Sequence, residues 1–178
     1  MDTITHALIP VILTRLVAKR ASWLGRWGLI AIGIAGALPD LLTPHITLES
    51  RLSSWSHGIP FWAVSAIGMI LASICSRGRI HLKLSIVMTG AYLFHILSDA
   101  ISGGVNFLCP YRDWIWGDYW VHPIVWIPCD IICMLACYLM FRILPVLRLR
   151  RQAEQITSAD RLQPAISNPR PPYRPAAE

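Results

Sequence analysis

Charge is what this sequence has least of. Only 15% of its 178 residues are Asp, Glu, Lys or Arg, against about 25% in ordinary soluble domains. That leaves too little polar surface to wrap a soluble globule of this size. No hydrophilic block is long enough to form a second domain, so one membrane-embedded domain is expected over about residues 1–150. Cysteine is scarce and odd in number, since Cys75, Cys109, Cys129, Cys133 and Cys137 cannot all pair. A full disulfide framework is therefore excluded. Cys129, Cys133 and Cys137 recur every four residues, which puts them on one helix face as small apolar contact residues. A basic start is also missing. Asp2, Thr5 and His6 come before the first apolar stretch, so the opening does not read as a cleavable signal.

What is abundant is apolar. Hydrophobic residues make up 54% of the chain and the mean hydropathy is +0.49. They gather in stretches from about Ile4 to Val17, Trp27 to Leu42, Ile59 to Cys75, Leu84 to Ile101 and Pro123 to Leu147. The pattern predicts an all-α, multi-pass transmembrane helix bundle of about five helices. A bilayer-crossing helix needs roughly 20 apolar residues. Several of these stretches are shorter or are interrupted by His or Asp. Such helices must shelter their polar residues against one another, or lie partly in the interface. The first stretch is short and amphipathic, and a re-entrant course is open to it.

The charges that exist alternate by side. Lys19, Arg20 and Arg26 follow the first stretch, Arg77, Arg79 and Lys83 the third, and Arg148, Arg150 and Arg151 the fifth. The other junctions hold Arg51 and Arg112 as their cations, beside Asp2, Glu49, Asp113 and Asp118. The positive-inside rule makes the basic junctions cytoplasmic, with the N-terminus outside and the C-terminus inside a cell (inner) membrane. The net charge of +6 and pI near 9.4 thus fit membrane anchoring. No basic groove carries interleaved stacking aromatics, so nucleic acid is not expected as a partner. Membrane lipids are.

The junction from Ser102 to His122 is rich in aromatics, with Trp114, Trp116, Tyr119 and Trp120. It reads as an aromatic belt at the headgroups, and a lid over a site for an amphipathic substrate is compatible with that. From about Gln152 to Glu178 the chain is polar and proline-rich, and the composition predicts a disordered cytoplasmic tail over about residues 151–178.

On this topology the chemistry-bearing residues share a rim. His6, Asp40, His57, His95 and Asp99 all fall near non-cytoplasmic ends of apolar stretches, and Asp130 lies about two turns in from the same side. His95 and Asp99 are four residues apart, so one helix can offer both to one ion. Imidazole and carboxylate together suit Zn²⁺, Mn²⁺ or Fe²⁺. A carboxylate near the bilayer is costly unless paired or bound to a cation, and one metal would meet that cost for Asp40, Asp99 and Asp130. A hydrogen-bonded His95–Asp99 pair or a capping Asp40 is the simpler alternative. His45, His81 and His122 read as loop residues, His81 on the basic side.

These motifs resemble the YdjM-like family of membrane-bound metal-dependent hydrolases. Met1-Asp2-Thr3-Ile4-Thr5-His6 is similar to its MDxxTH opening, and Gly36-Ala37-Leu38-Pro39-Asp40 to its GxLPD element. Ser56-His57-Gly58 stands where the family has HRGxTHS, and His95-Ile96-Leu97-Ser98-Asp99 resembles its HxxxD helix. Cys109-Pro110-Tyr111 resembles its WPF turn, and Asp130 its late aspartate. The likeness covers about the first 145 residues. Leu42 replaces the second aspartate of the family's PDxD, and residues 51–55 offer no histidine before Ser56. Both departures remove ligands, which implies either fewer metal ions here than in fuller members or lost activity.

The resemblance implies a divalent metal, Zn²⁺ foremost, on His6, Asp40, His57, His95 and Asp99. It implies hydrolysis of phosphate esters, and a site at headgroup level suits a lipid or lipid-linked one. On that reading Asp130 would act as general base or complete the coordination, and Arg112 would hold a phosphate or anchor at the headgroups. A cation or proton transporter, and a scaffold with a structural metal, are the rival readings.

Overall fold

Helix dominates, as the apolar runs predict. A computed structural model describes residues 3–18, 22–25, 27–44 and 47–167. Asp2, Lys19, Arg20, Arg26 and His45 lie outside the described residues, as does the tail from residue 168 onward. The helices are α1 (Thr3–Val17), α2 (Gly28–Leu42), the short α3 (Leu48–Leu52), α4 (Ile59–Cys75), α5 (Leu82–Ile101), α6 (Trp126–Tyr138) and α7 (Leu144–Ser167). Their starts follow local chemistry. Thr47 and Ser50 cap α3 reciprocally, and Pro60 sits in the first turn of α4, where its missing N–H leaves nothing unbonded.

Among the described residues, two helical runs are long and apolar enough to cross a membrane, Leu82–Ile101 and Trp126–Ala159. Thr3–Val17, Gly28–Leu42 and Ile59–Cys75 are apolar but shorter. The chain divides into two units, Met1–Cys137 and Tyr138–Glu178. In the second, a π-helical turn (Leu139–Ile143) leads into α7.

Two expectations need correction. The chain is helical through Ser167, where composition predicted disorder from Gln152. Residues 152–163 include many good helix formers, Gln, Ala, Glu, Arg and Leu, and the tail's prolines begin only at Pro164. The junction after α5 also holds a small antiparallel hairpin that an all-α reading omits, β1 (Val105–Asn106) pairing with β2 (Ile115–Trp116). Its aromatic and β-branched residues suit a pleated surface better than a helix. Asn106 closes the turn: its Nδ2 donates to Asp113 (3.0 Å) and its Oδ1 accepts from the Trp114 N–H (3.0 Å). Phe107 stacks on Trp116, while Trp114, Trp116, Tyr119 and Trp120 remain exposed.

Within the first unit, α2 and α5 form the centre. Helix α1 packs on α2, and α4 packs on α5. One apolar cluster joins Val11, Ile32, Ala35 and Ala91, and a second joins Tyr92, Ile96, Ala100 and Val105. The α1–α2 crossing is set by Gly36, where an added Cβ would fall 2.3 Å from the His6 carbonyl oxygen. The surface pattern is inverted relative to a water-soluble helix bundle. In α1, Thr5 and His6 are buried while Ile4, Leu13, Leu16 and Val17 are exposed. In α4, Val64, Ile67, Leu71 and Ile74 form an exposed apolar stripe. Large apolar side chains outside and polar ones inside suit a surround of hydrocarbon.

Gly36→Ala is expected to push α1 off α2 and to lower the melting midpoint of the detergent-solubilised protein. The cost should be about 1–3 kcal/mol, the usual range for overpacking. A midpoint equal to wild type would show that the crossing is looser than the backbone distance requires.

Candidate metal centre

Three elements of the first unit bring their polar ends together. Asp40 comes from the last turn of α2, His57 from the 3₁₀ turn Trp55–His57 that feeds α4, and His95 and Asp99 from the C-terminal half of α5. One ligand atom from each of these four lies within 4.8 Å of every other. The His57 and His95 Nε2 atoms are 3.3 Å apart. His57 Nε2 is 3.3 Å from Asp40 Oδ1 and 3.4 Å from Asp99 Oδ2. His95 Nε2 is 3.4 Å from each of the same two oxygens.

These separations match a known figure. Nitrogen and oxygen ligands about 2.0–2.1 Å from one tetrahedral ion stand roughly 3.3–3.4 Å apart. The donor set fits a small divalent cation in type as well, being two imidazoles and two carboxylates.

The histidine protons support the same fit. His95 Nδ1 lies 2.7 Å from the Gly36 carbonyl oxygen. A carbonyl only accepts, so Nδ1 carries a proton and Nε2 is the nitrogen left to meet an ion. For His57, Nδ1 lies 3.0 Å from Ser54 Oγ and 3.2 Å from Ser56 Oγ. Ser56 Oγ donates its one proton to the Pro39 carbonyl (2.9 Å), so toward His57 it accepts. His57 Nε2 faces the same space, beside Asp40 Oδ1 and Asp99 Oδ2. Two carboxylates brought this close repel unless positive charge stands among them, which a divalent ion would supply.

The surrounding bonds fix this arrangement. The Tyr92 hydroxyl donates to the Ser56 carbonyl (2.6 Å), holding the turn that carries His57 against α5. Thr43 Oγ1 bonds both Ser54 and Ser56. Thr3 Oγ1 donates to Asp40 Oδ2 (2.6 Å), which leaves Oδ1 for the shared space. Partners of this kind orient metal ligands and set their tautomers.

The remaining residues singled out by sequence fall around the four. His6 is fully buried, stacks on the His95 ring with centroids 3.8 Å apart, and places Nε2 3.1 Å from Asp99 Oδ1. It faces the outer oxygen of a ligand. Asp130 is buried in α6 and accepts a hydrogen bond from Thr5. Arg112 is exposed in the hairpin loop. His81 and His122 are exposed. Cys133 is buried in α6, and all five cysteines are free.

Sequence reasoning missed Arg51. It is buried, with Nη1 3.3 Å from Asp99 Oδ1 and Nη2 donating to the carbonyls of Ser102 (3.3 Å) and Gly104 (3.2 Å). Its signal was its rarity, because only Arg51 and Arg112 supply cations to the acidic junctions. Thr3, Thr5, Ser54 and Ser56 were missed too. Their small hydroxyls carry no pattern until the chain brings a His or Asp beside them.

A family model described as YdjM inner membrane protein matches residues 1–156. No curated protein and no solved structure matches the chain.

Elemental analysis of detergent-purified protein, prepared without chelators, is expected to find a divalent metal in wild type. In His95→Ala the metal should be lost, with the helical circular dichroism unchanged. A folded wild type that carries no metal would reduce the cluster to a hydrogen-bonded rim.

Proposed function

The chain belongs to the YdjM inner membrane protein family, and from that premise we propose that it is a multi-pass membrane hydrolase of phosphate esters using one Zn²⁺ at Asp40, His57, His95 and Asp99. The observation that carries this reading is the convergence of two imidazole Nε2 atoms and two carboxylate oxygens at metal-ligand spacing. A bound divalent metal supplies an acidified water, with pKa lowered toward about 7, and polarises an ester oxygen.

The chain's own residues do the rest. Asp40, with its side chain 12% exposed, is the most open of the four, so an ester reaches the centre from its side. Asp130, a buried carboxylate outside the four, takes the proton as general base. Arg112, exposed on the hairpin loop, meets a phosphate at the membrane surface. The exposed tryptophans of the same loop favour a lipid or lipid-linked phosphoester at headgroup depth. A transporter needs polar groups along a whole pass, whereas α4 has no charged residue over Ile59–Cys75.

The orientation follows from the basic junctions, which put the centre on the non-cytoplasmic side and the C-terminus in the cytoplasm. Single cysteines at Arg79 and Arg150, in a background without the native five, are expected to react with a membrane-impermeant maleimide only after permeabilisation. One at Asp113 should react beforehand, and the reverse pattern would overturn the orientation.

For activity, the purified protein is to be offered a panel of phosphomonoester and phosphodiester lipids in mixed micelles with Zn²⁺. Turnover should stop on chelation and in Asp99→Asn. Turnover that survives both would show that the four-residue centre is not the catalyst.

A further inference from the structure

The two oxygens of Asp99 are committed to different neighbours. Oδ2 faces the imidazoles of His57 and His95 at 3.4 Å each. Oδ1 faces His6 Nε2 at 3.1 Å and Arg51 Nη1 at 3.3 Å. Arginine does not lose its proton in proteins, so a permanent positive charge stands against Oδ1. The fold is shaped to keep it there. Arg51 is held by two carbonyls of the loop after α5. In that loop Gly103 adopts φ +130°, and a Cβ there would lie 2.8 Å from Arg51 Nη2.

His6 adds to the same side. Facing a carboxylate oxygen, its Nε2 carries the proton and donates it. That leaves Nδ1 as an unprotonated nitrogen, buried and without a hydrogen-bond partner among the described residues. His6 thus stands in the structure as a donor to Asp99, whereas a metal ligand would need Nε2 as a lone pair.

We propose that Arg51 is the built-in cation of this centre, so that Asp99 binds one metal ion through Oδ2 and is closed to a second at Oδ1. The proposal rests on the metal reading above and adds a stoichiometry to it. A carboxylate that bridges two ions with one oxygen to each needs both of them. Here a second dication on Oδ1 would meet the guanidinium at near contact distance in a site shielded from water, where like charges repel most. His6 and Arg51 are positioning residues on this account, since together they turn Oδ2 toward the two imidazoles.

The test is the number of ions per chain in the full-length, detergent-purified protein. Co²⁺ is titrated into metal-free protein and counted by elemental analysis after gel filtration. Wild type should bind one equivalent, with the full paramagnetic signal of an isolated ion. Arg51→Gln removes the charge. His6 can then move its proton to the unpartnered Nδ1 and offer Nε2 beside Asp99 Oδ1. This variant should bind two equivalents, while Arg51→Lys, which keeps the charge, should bind one. A purely structural role for Arg51 would lower the melting midpoint of both variants without raising the count.

Two equivalents in wild type, or one in folded Arg51→Gln, would overturn the proposal while leaving the metal reading in place. No bound metal in any of the proteins would overturn both. Should Arg51→Gln fail to fold, the wild-type count and signal decide alone.

Discussion

Two carboxylates cannot share a buried corner of a protein without a positive partner. That constraint governs the upper part of this molecule. Asp40 and Asp99 converge from α2 and α5, and the Nε2 atoms of His57 and His95 face them. Removing charge from water costs several kcal/mol per ion unless it is returned by pairing and hydrogen bonding. The hydroxyls of Thr3, Ser54, Ser56 and Tyr92, the Gly36 carbonyl and the Arg51 guanidinium all serve that return. The α1–α2 contact at Gly36 and the α2–α5 pairing exist at the spacing that lets these groups meet.

Much of this was legible before any coordinates. The apolar runs gave the helices because lipid and helix interior both demand apolar side chains in blocks of this length. His95 and Asp99 were legible as a pair because a helix repeats its face every four residues. Asp40 and His57 were legible through their likeness to family motifs and through the alternation of basic and acidic junctions, which assigned distant residues to one rim. That argument can place a residue on a side but not at a distance. It could not tell that His6 addresses the outer oxygen of Asp99, or that Arg51 lies beside it rather than at the surface. The first depends on how α1 meets α5 and the second on how the loop after α5 meets α3, and both are tertiary facts. The hairpin was hidden for a related reason. Two-residue strands leave no alternation to read, and Asn106 closes the loop through side-chain bonds that depend on the turn itself.

The helix through Ser167 shows the limit of composition. Counting prolines over the whole tail averaged a helix-forming half with a helix-breaking one. The residue order separates them, since the prolines crowd after Pro164 and the good helix formers come before it. The inverted surface of α1 and α4 carries the complementary lesson. Burying Thr5 and His6 while exposing Leu13 and Leu16 would be unfavourable in water. A hydrocarbon surround would make it favourable, and the inward polar face that a metal site needs would then also be the one that solvation selects.

Unequal shielding of the four ligands gives the centre a direction. The side chains of His57, His95 and Asp99 are 0–2% exposed, while that of Asp40 is 12% exposed. Three of the group are closed off from the surface and the fourth is partly open, beside the first turn of α1. The Thr3 hydroxyl donates to Oδ2 of that open carboxylate. A residue unremarkable as sequence thereby borders the more open edge of this buried polar group.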